Sequence, residues 1–239
     1  MIFRQLFDSE SSTYTYLLGD ESTGQAVLID AVLEQVDRDL QLVRELGLTL
    51  THVFDTHVHA DHVTASGHLR EQTRCKVVGG EQGATCADVQ VRHGDHVRIG
   101  QLDFQVLATP GHTDDSVSYL LGDRVFTGDA LLIRGNGRTD FQNGDPSQLY
   151  DSLTRVLFGL PDSTLVYPAH DYKGRTVTSI AEEKRHNPRV AGKSRDEFIH
   201  IMEHLDLPKP KKLDVAVPAN RACGLTSPGA ADTDSHLHS

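Results

Sequence analysis

The sequence predicts an α/β chain: a core of two sheets with helices outside it. Two observations predict this. Short runs rich in β-branched and aromatic residues come first, and runs with helical spacing are then interleaved with further strands in two loosely similar halves. Each half also sets histidine or carboxylate side chains just past the end of a strand. Groups placed there are held by a rigid element yet face a loop surface.

Taken in order, residues 1–30 read as strands. Tyr14–Leu18 and Ala26–Ile29 are β-rich, with a turn over Gly19–Gly24 between them, and Asp30 ends the second run, read as a turn cap in preference to a support for the ligands beyond. Leu33, Val36, Leu40, Val43 and Leu46 recur at helical spacing before Gly47, a C-cap residue. Leu50–Phe54 is a strand, residues 63–73 suit a helix, and Lys76–Val78 is a short strand. Val97–Leu107 reads as a hairpin turning near Gly100, broken by Thr109–Thr113. Ser116–Leu121 and Arg124–Thr127 are two more strands, the second ending in Gly128-Asp129. Asp145-Pro146-Ser147-Gln148 opens a helix with Asp at N-cap and Pro at N1. Leu149, Leu153, Val156 and Leu160 continue its apolar face. Thr164–Tyr167 is a strand closed by Pro168-Ala169-His170. A helix over 176–186 stops at Asn187-Pro188, and Ser194–Glu197 is a capping box for another. The apolar side of that last helix, with Phe198, Ile201 and Leu205, could also serve a homodimer contact. Pro208–Lys211 reads as an extended linker and residues 226–239 as a disordered tail, so that residues 1–225 form the domain.

The 239 residues suffice to bury a sizeable core. A net charge of −11 argues against nucleic acid as a partner, because phosphate binding needs a basic face. No apolar run approaches the ~20 residues of a membrane helix. Met1–Phe7 has neither signal-peptide nor transit character, which gives a cytoplasmic expectation. Cys75, Cys86 and Cys223 are too few and too unevenly spaced for a zinc ribbon or a disulfide framework, and read as plain thiols.

The stretch Thr56-His57-Val58-His59-Ala60-Asp61-His62 packs three imidazoles and a carboxylate into six positions after the strand Leu50–Phe54. Nothing in strand or helix stability calls for such a cluster, whereas each of these side chains can ligate a metal. Further along lie His112, Asp129 and His170. His57, His112 and Asp129 make a set of two histidines and one carboxylate; His59, Asp61, His62 and His170 could make another. Donors of this kind without cysteine suit zinc, iron or manganese. One facial set with open positions suits a ferrous oxygenase, and two metals bridged by Asp129 would suit a hydrolase.

His57–His62, Pro110–Thr113, Thr127–Asp129 and Pro168–His170 resemble, in order, the ligand motifs of the metallo-β-lactamase superfamily. That resemblance spans residues 1 to about 190 and implies an αββα sandwich of two mixed sheets flanked by helices. The phrases Leu131–Gln142, His170–Gly174 and Glu182–Arg189 resemble the persulfide dioxygenases, also called sulfur dioxygenases, the family of the ethylmalonic encephalopathy protein. This implies one Fe(II) per chain, held by His57, His112 and Asp129. It also implies a reaction of glutathione persulfide with O2 and water that gives sulfite and glutathione. His59, Asp61, His62 and His170 would then hydrogen-bond around the ligands or mark a vestigial second metal site. Arg138 matches a position near the glutathione site, where a guanidinium could grip a carboxylate with two parallel bonds. Tyr172 could hydrogen-bond the substrate or bound oxygen as a catalytic group, and Lys173 could meet a second carboxylate. The family often has cysteine where this chain has Asn136. Two rival functions share the pocket: a binuclear thioester hydrolase of glyoxalase II type, and a non-catalytic metal or thiol binder. The short segment after the metal motifs opposes the first, and the filled ligand positions oppose the second.

Overall fold

Alternating and continuous apolar runs pair into two six-stranded sheets. The computed structural model describes residues 1–209 and 212–225. The first sheet runs Ile2–Asp8 (β1), Thr13–Gly19 (β2), Gln25–Ile29 (β3), Thr49–Phe54 (β4), Lys76–Gly80 (β5) and Val89–Val91 (β6), in that order. β1 to β3 are antiparallel and β3 to β6 are parallel. The second contains His96–Ile99 (β7), Leu102–Ala108 (β8), Val117–Leu121 (β9), Arg124–Gly128 (β10), Leu165–Pro168 (β11) and Thr178–Ser179 (β12), again in order along the sheet. Only β10 and β11 pair parallel there. Both sheets are therefore mixed, as expected.

Their inner faces supply the central core, where Tyr16, Leu18, Ile29, Phe54, Phe104, Tyr119 and Phe126 are buried together. Each large apolar side chain so buried contributes roughly 1.5–3 kcal/mol. Helices Val36–Glu45 (α1) and Ser66–Thr73 (α2) cover the outer face of the first sheet, through Leu40, Val43 and Leu69 against Leu17, Leu28 and Val53. Pro146–Asp151 (α3), a π-helical turn over Ser152–Leu157, Ile180–His186 (α4) and Arg195–Glu203 (α5) cover the second sheet. The result is the αββα layering. On the apolar side of α5, Phe198 and Met202 are buried with Leu149 and Leu153, whereas Ile201 and Leu205 stay partly exposed.

Several boundaries moved. α2 starts at Ser66 and not at 63, because the Thr64 hydroxyl turns to Asp55 and Ser66 and the chain ahead of it stays irregular. α4 starts at Ile180, where Ser179 caps it, and the residues before it form the edge strand β12. β6 was not anticipated. Nor was the last helix, Leu213–Arg221 (α6), which carries Pro218 in its interior. The reading of all three cysteines as plain thiols is corrected: Cys86 and Cys223 form a disulfide across 137 positions, and only Cys75 is free. A pairing over that distance leaves no local spacing signal. Of the expected linker, Pro210 and Lys211 lie outside the described residues, as does the expected tail 226–239. Among the described residues, no helix is long and apolar enough to cross a membrane.

Candidate metal centre

Four strands end at one edge of the sandwich, and each delivers a ligand-type residue just beyond its C-terminus. β4 leads to His57–His62, β8 to His112, β10 to Asp129 and β11 to His170. The two sheets are tied there: Tyr14 N–H donates to the Ala169 carbonyl at 2.7 Å, and Thr13 bridges His170. Gly128, at φ +53°, makes this convergence possible. A Cβ at that position would lie 2.5 Å from Thr56 Oγ1 and 3.4 Å from His57 Nδ1. A side chain could neither adopt that backbone conformation cheaply nor fit the space.

His57, His112 and Asp129 each offer an atom, and all these atoms lie within 4.8 Å of one another. His112 Nε2 is 3.5 Å from Asp129 Oδ2, and the rings of His57 and His112 meet edge-on with centroids 4.9 Å apart. The far nitrogen of each ring is occupied by the protein. His112 Nδ1 is 2.6 Å from the Arg138 carbonyl, to which it donates, and His57 Nδ1 is 3.0 Å from Thr56 Oγ1. This fixes ring orientation and turns both Nε2 lone pairs inward, as metal ligation requires. Gly137 lets the loop close on His112, since a Cβ there would sit 2.6 Å from His112 Nδ1. Burial, then the neighbouring imidazoles of His59 and His112, hold His57 well below the usual histidine range, which favours the neutral imidazole that metal binding needs. Asp129 Oδ1 is buried with no hydrogen-bond partner. An unpaired buried carboxylate oxygen is costly, and a cation would remove that cost. The donor set therefore fits one metal ion.

The second set is brought alongside. His62 Nδ1 lies 2.8 Å from Asp61 Oδ2, and His170 Nε2 lies 3.4 Å from the same oxygen and 3.7 Å from Asp129 Oδ1. His170 Nδ1 donates to the Ser12 carbonyl at 3.1 Å. Burial opposes a low carboxylate pKa at Asp61, but His62 and His170 hold it well below the usual range. His59 Nδ1 and His62 Nε2 have no partner, so this set too retains donors for a metal.

Asp30, read above as a turn cap, is a correction. It is buried, takes φ +52°, and accepts from Thr56 N at 2.8 Å, from Thr56 Oγ1 at 2.9 Å and from His59 Nε2 at 3.1 Å. Burial disfavours a charge on His59, yet Asp30 beside it carries the imidazole up to about 10. Arg138 lies in the loop over His112, but its guanidinium is engaged: it donates to Asp140 at 2.6 and 2.7 Å and to the Pro208 carbonyl at 2.7 Å, over the Phe141 ring. Tyr172 stacks on His170, with centroids 6.0 Å apart and planes within 5°, and leaves 73% of its surface open at the rim. Lys173 is exposed beside it. Asn136 is buried one layer back and donates to Met202 Sδ at 3.2 Å.

Three further residues hold the histidine loop and were not singled out from sequence. Asp115 accepts from Val58 N at 2.8 Å, Gln142 donates to the Val58 carbonyl at 2.6 Å, and Asn220 bonds the loop from α6. Asp115 follows His112 closely enough to have been suspected; Asn220 carried no signal.

A family model described as the metallo-beta-lactamase superfamily matches residues 9–84 and 87–170. The mitochondrial persulfide dioxygenase ETHE1 of Mus musculus is 48% identical over 231 residues, covering 95% of this chain and 91% of its own. The Homo sapiens protein of the same name is 48% identical over 233 residues, covering 96% and 91%. Among solved structures, ETHE1 from Myxococcus xanthus superposes with a TM-score of 0.94 at 84% identity, over 94% of this chain and 100% of that one.

Proposed function

This chain belongs to the metallo-beta-lactamase superfamily and, within it, to the persulfide dioxygenases, and from that premise we propose how its site works. The enzyme is an oxidoreductase that converts glutathione persulfide, O2 and water to sulfite and glutathione. In our reading the centre is one Fe(II) per chain on His57, His112 and Asp129. The observation that carries this reading is the cluster of these three donors, with Nδ1 of each histidine tied back to the protein and the carboxylate left unpaired. Bound there, ferrous iron would supply the open positions and the electrons that O2 chemistry needs.

The chain's own contribution is placement. Thr56 and the Arg138 carbonyl hold the two imidazoles so that no reorientation is needed on binding. His170, anchored on Ser12, stands 3.7 Å from Asp129 Oδ1 without bonding it, and so leaves that oxygen to a metal. Tyr172, stacked on His170, would offer its hydroxyl to the incoming persulfide tail. Arg138 and Lys173 are, in this reading, the cations that meet the carboxylates of glutathione. A glutathione carboxylate would compete there with Asp140 for the Arg138 fork. Residues 1–225 act in this proposal as one unit with one centre.

The test is oxygen uptake by the anaerobically iron-loaded protein on addition of glutathione persulfide. We expect rapid uptake with sulfite formed one for one. No uptake, together with thioester cleavage by a form holding two zinc ions, would replace this reading with the hydrolase. The open donors on His59 and His62 are what keep that second reading in play.

A further inference from the structure

We infer that Asn220 is a positioning residue for the metal-binding loop, and that the Cys86–Cys223 disulfide is a thiol-reducible latch that keeps it in place. The inference rests on the reading above in one respect, that residues 57–62 carry metal ligands.

The loop from His57 to Thr64 has no helix or strand of its own, so its backbone groups need partners from elsewhere. The side chain of Asn220, 2% exposed, supplies three. Its Nδ2 donates to the His59 carbonyl and to the His62 carbonyl, each at 2.8 Å, and its Oδ1 accepts from Thr64 N at 2.8 Å. Both donors and the acceptor of one amide are thus used on the segment that presents His59, Asp61 and His62. Removing that amide would strand two carbonyls and one N–H inside the protein.

Apart from Lys212 at its N-cap, which pairs with Glu10 and Glu34, α6 has little else to hold it. Its buried residues are Ala216, Ala219 and Asn220, and Ala side chains bury little apolar area. The turn after it is seated backbone against backbone. Gly67 N donates to the Cys223 carbonyl at 2.7 Å, and a Cβ on Gly224 would lie 2.0 Å from the Thr64 carbonyl. Cys223 is fully buried, and its disulfide ties this turn to Cys86, in the loop between β5 and β6. Cys86 is only half-buried, so the bond can be attacked from that side. A thiolate attacks Cys86 Sγ and Cys223 leaves as thiolate. A second thiolate then attacks the outer sulfur of the mixed disulfide and releases Cys86. Two thiols become one small-molecule disulfide, and their two protons end on Cys86 and Cys223. Glutathione, the product of the proposed reaction, is such a thiol. Freed of the bond, α6 would be held by its polar contacts and the small apolar burial of Ala216, Ala219 and Cys223.

The experiment is hydrogen exchange on the metal-free full-length protein, comparing residues 57–65 with β2 and β3 as a core reference. We expect glutathione reduction, Cys86→Ser and Asn220→Ala each to speed exchange in the loop about tenfold, with the core unchanged. Asn220→Asp keeps the acceptor for Thr64 but faces the two carbonyls with a carboxylate, and should behave like the alanine variant. Iron release to a chelator should quicken in parallel. Unchanged loop exchange in Asn220→Ala would overturn the positioning role. Fast exchange in Asn220→Ala, with none on reduction or in Cys86→Ser, would overturn the latch. Because exchange is read without metal or substrate, a failure of the dioxygenase reading would leave this result standing and be recognised separately.

Discussion

Asp129 lies between the two halves of the site, with His112 Nε2 3.5 Å from one of its oxygens and His170 Nε2 3.7 Å from the other. Asp129→Ala should therefore lose iron as well as turnover, and metal analysis after anaerobic loading is the check. A variant that still carries a full equivalent would remove Asp129 from the ligand set. Arg138 plays two parts that substitution can separate. Its carbonyl holds His112 whatever the side chain, while its guanidinium is bound to Asp140. Arg138→Ala should raise KM for glutathione persulfide several-fold with most of the iron retained; an unchanged KM would confine the side chain to its bond with Asp140. The candidate ligand cluster was legible in the sequence because polar, metal-competent side chains crowded at strand ends have no structural reason to be there. Asp30 was not, because a carboxylate after a strand also reads as an ordinary turn cap, and only the tertiary fold sets it against His59 and Thr56.

A helix with no ligand of its own positions the His112 loop. α3 begins at Asp145, whose carboxylate accepts from Ser147 N and Gln148 N and whose own N–H donates to the Gly111 carbonyl at 2.9 Å. Gly111 sits at φ +128° with the backbone of Leu149 pressed against it; a Cβ would lie 2.3 Å from Leu149 N. Gly111→Ala must either push α3 away or move His112. The expected cost is about 1–3 kcal/mol in urea unfolding, since a strained backbone conformation is worth that much before any clash, with weakened iron binding alongside. A variant with unchanged stability and iron affinity would show that α3 does not support the loop. The start of α3 was readable from its Asp-Pro opening, and α5 from its capping box, because local chemistry determines caps. β6 and α6 escaped notice. β6 is three residues long, and α6 is a short helix interrupted by Pro218 and held by contacts distant in sequence.

The sandwich as a whole carries a pH dependence set by what its outer layers bury. Asp39, on α1, is fully buried against the first sheet, with Arg38 Nε donating to it at 2.8 Å. Burial pushes its carboxyl up to about 6 despite the guanidinium beside it. A folded-state pKa above the unfolded one means that its contribution is fully present below the unfolded value of 3.8 and is lost as pH rises through about 6. At neutral pH the molecule therefore folds with a charge that it would rather not hold. Asp39→Asn keeps an acceptor for Arg38 and removes that charge. The variant should gain on the order of 2–3 kcal/mol over the parent at pH 8, shrinking through pH 6 and vanishing near pH 4. Urea midpoints of both metal-free proteins across that range decide it, because the histidine cluster titrates identically in the two and cancels in the difference. A gap independent of pH would mean that the substitution acts through packing and that the Asp39 carboxyl titrates normally. The spacing itself puts Asp39 there: Val36, Asp39, Leu40 and Val43 fall at i, i+3, i+4 and i+7 on the buried face of α1, but a reading that follows apolar residues alone passes over a carboxylate on that face.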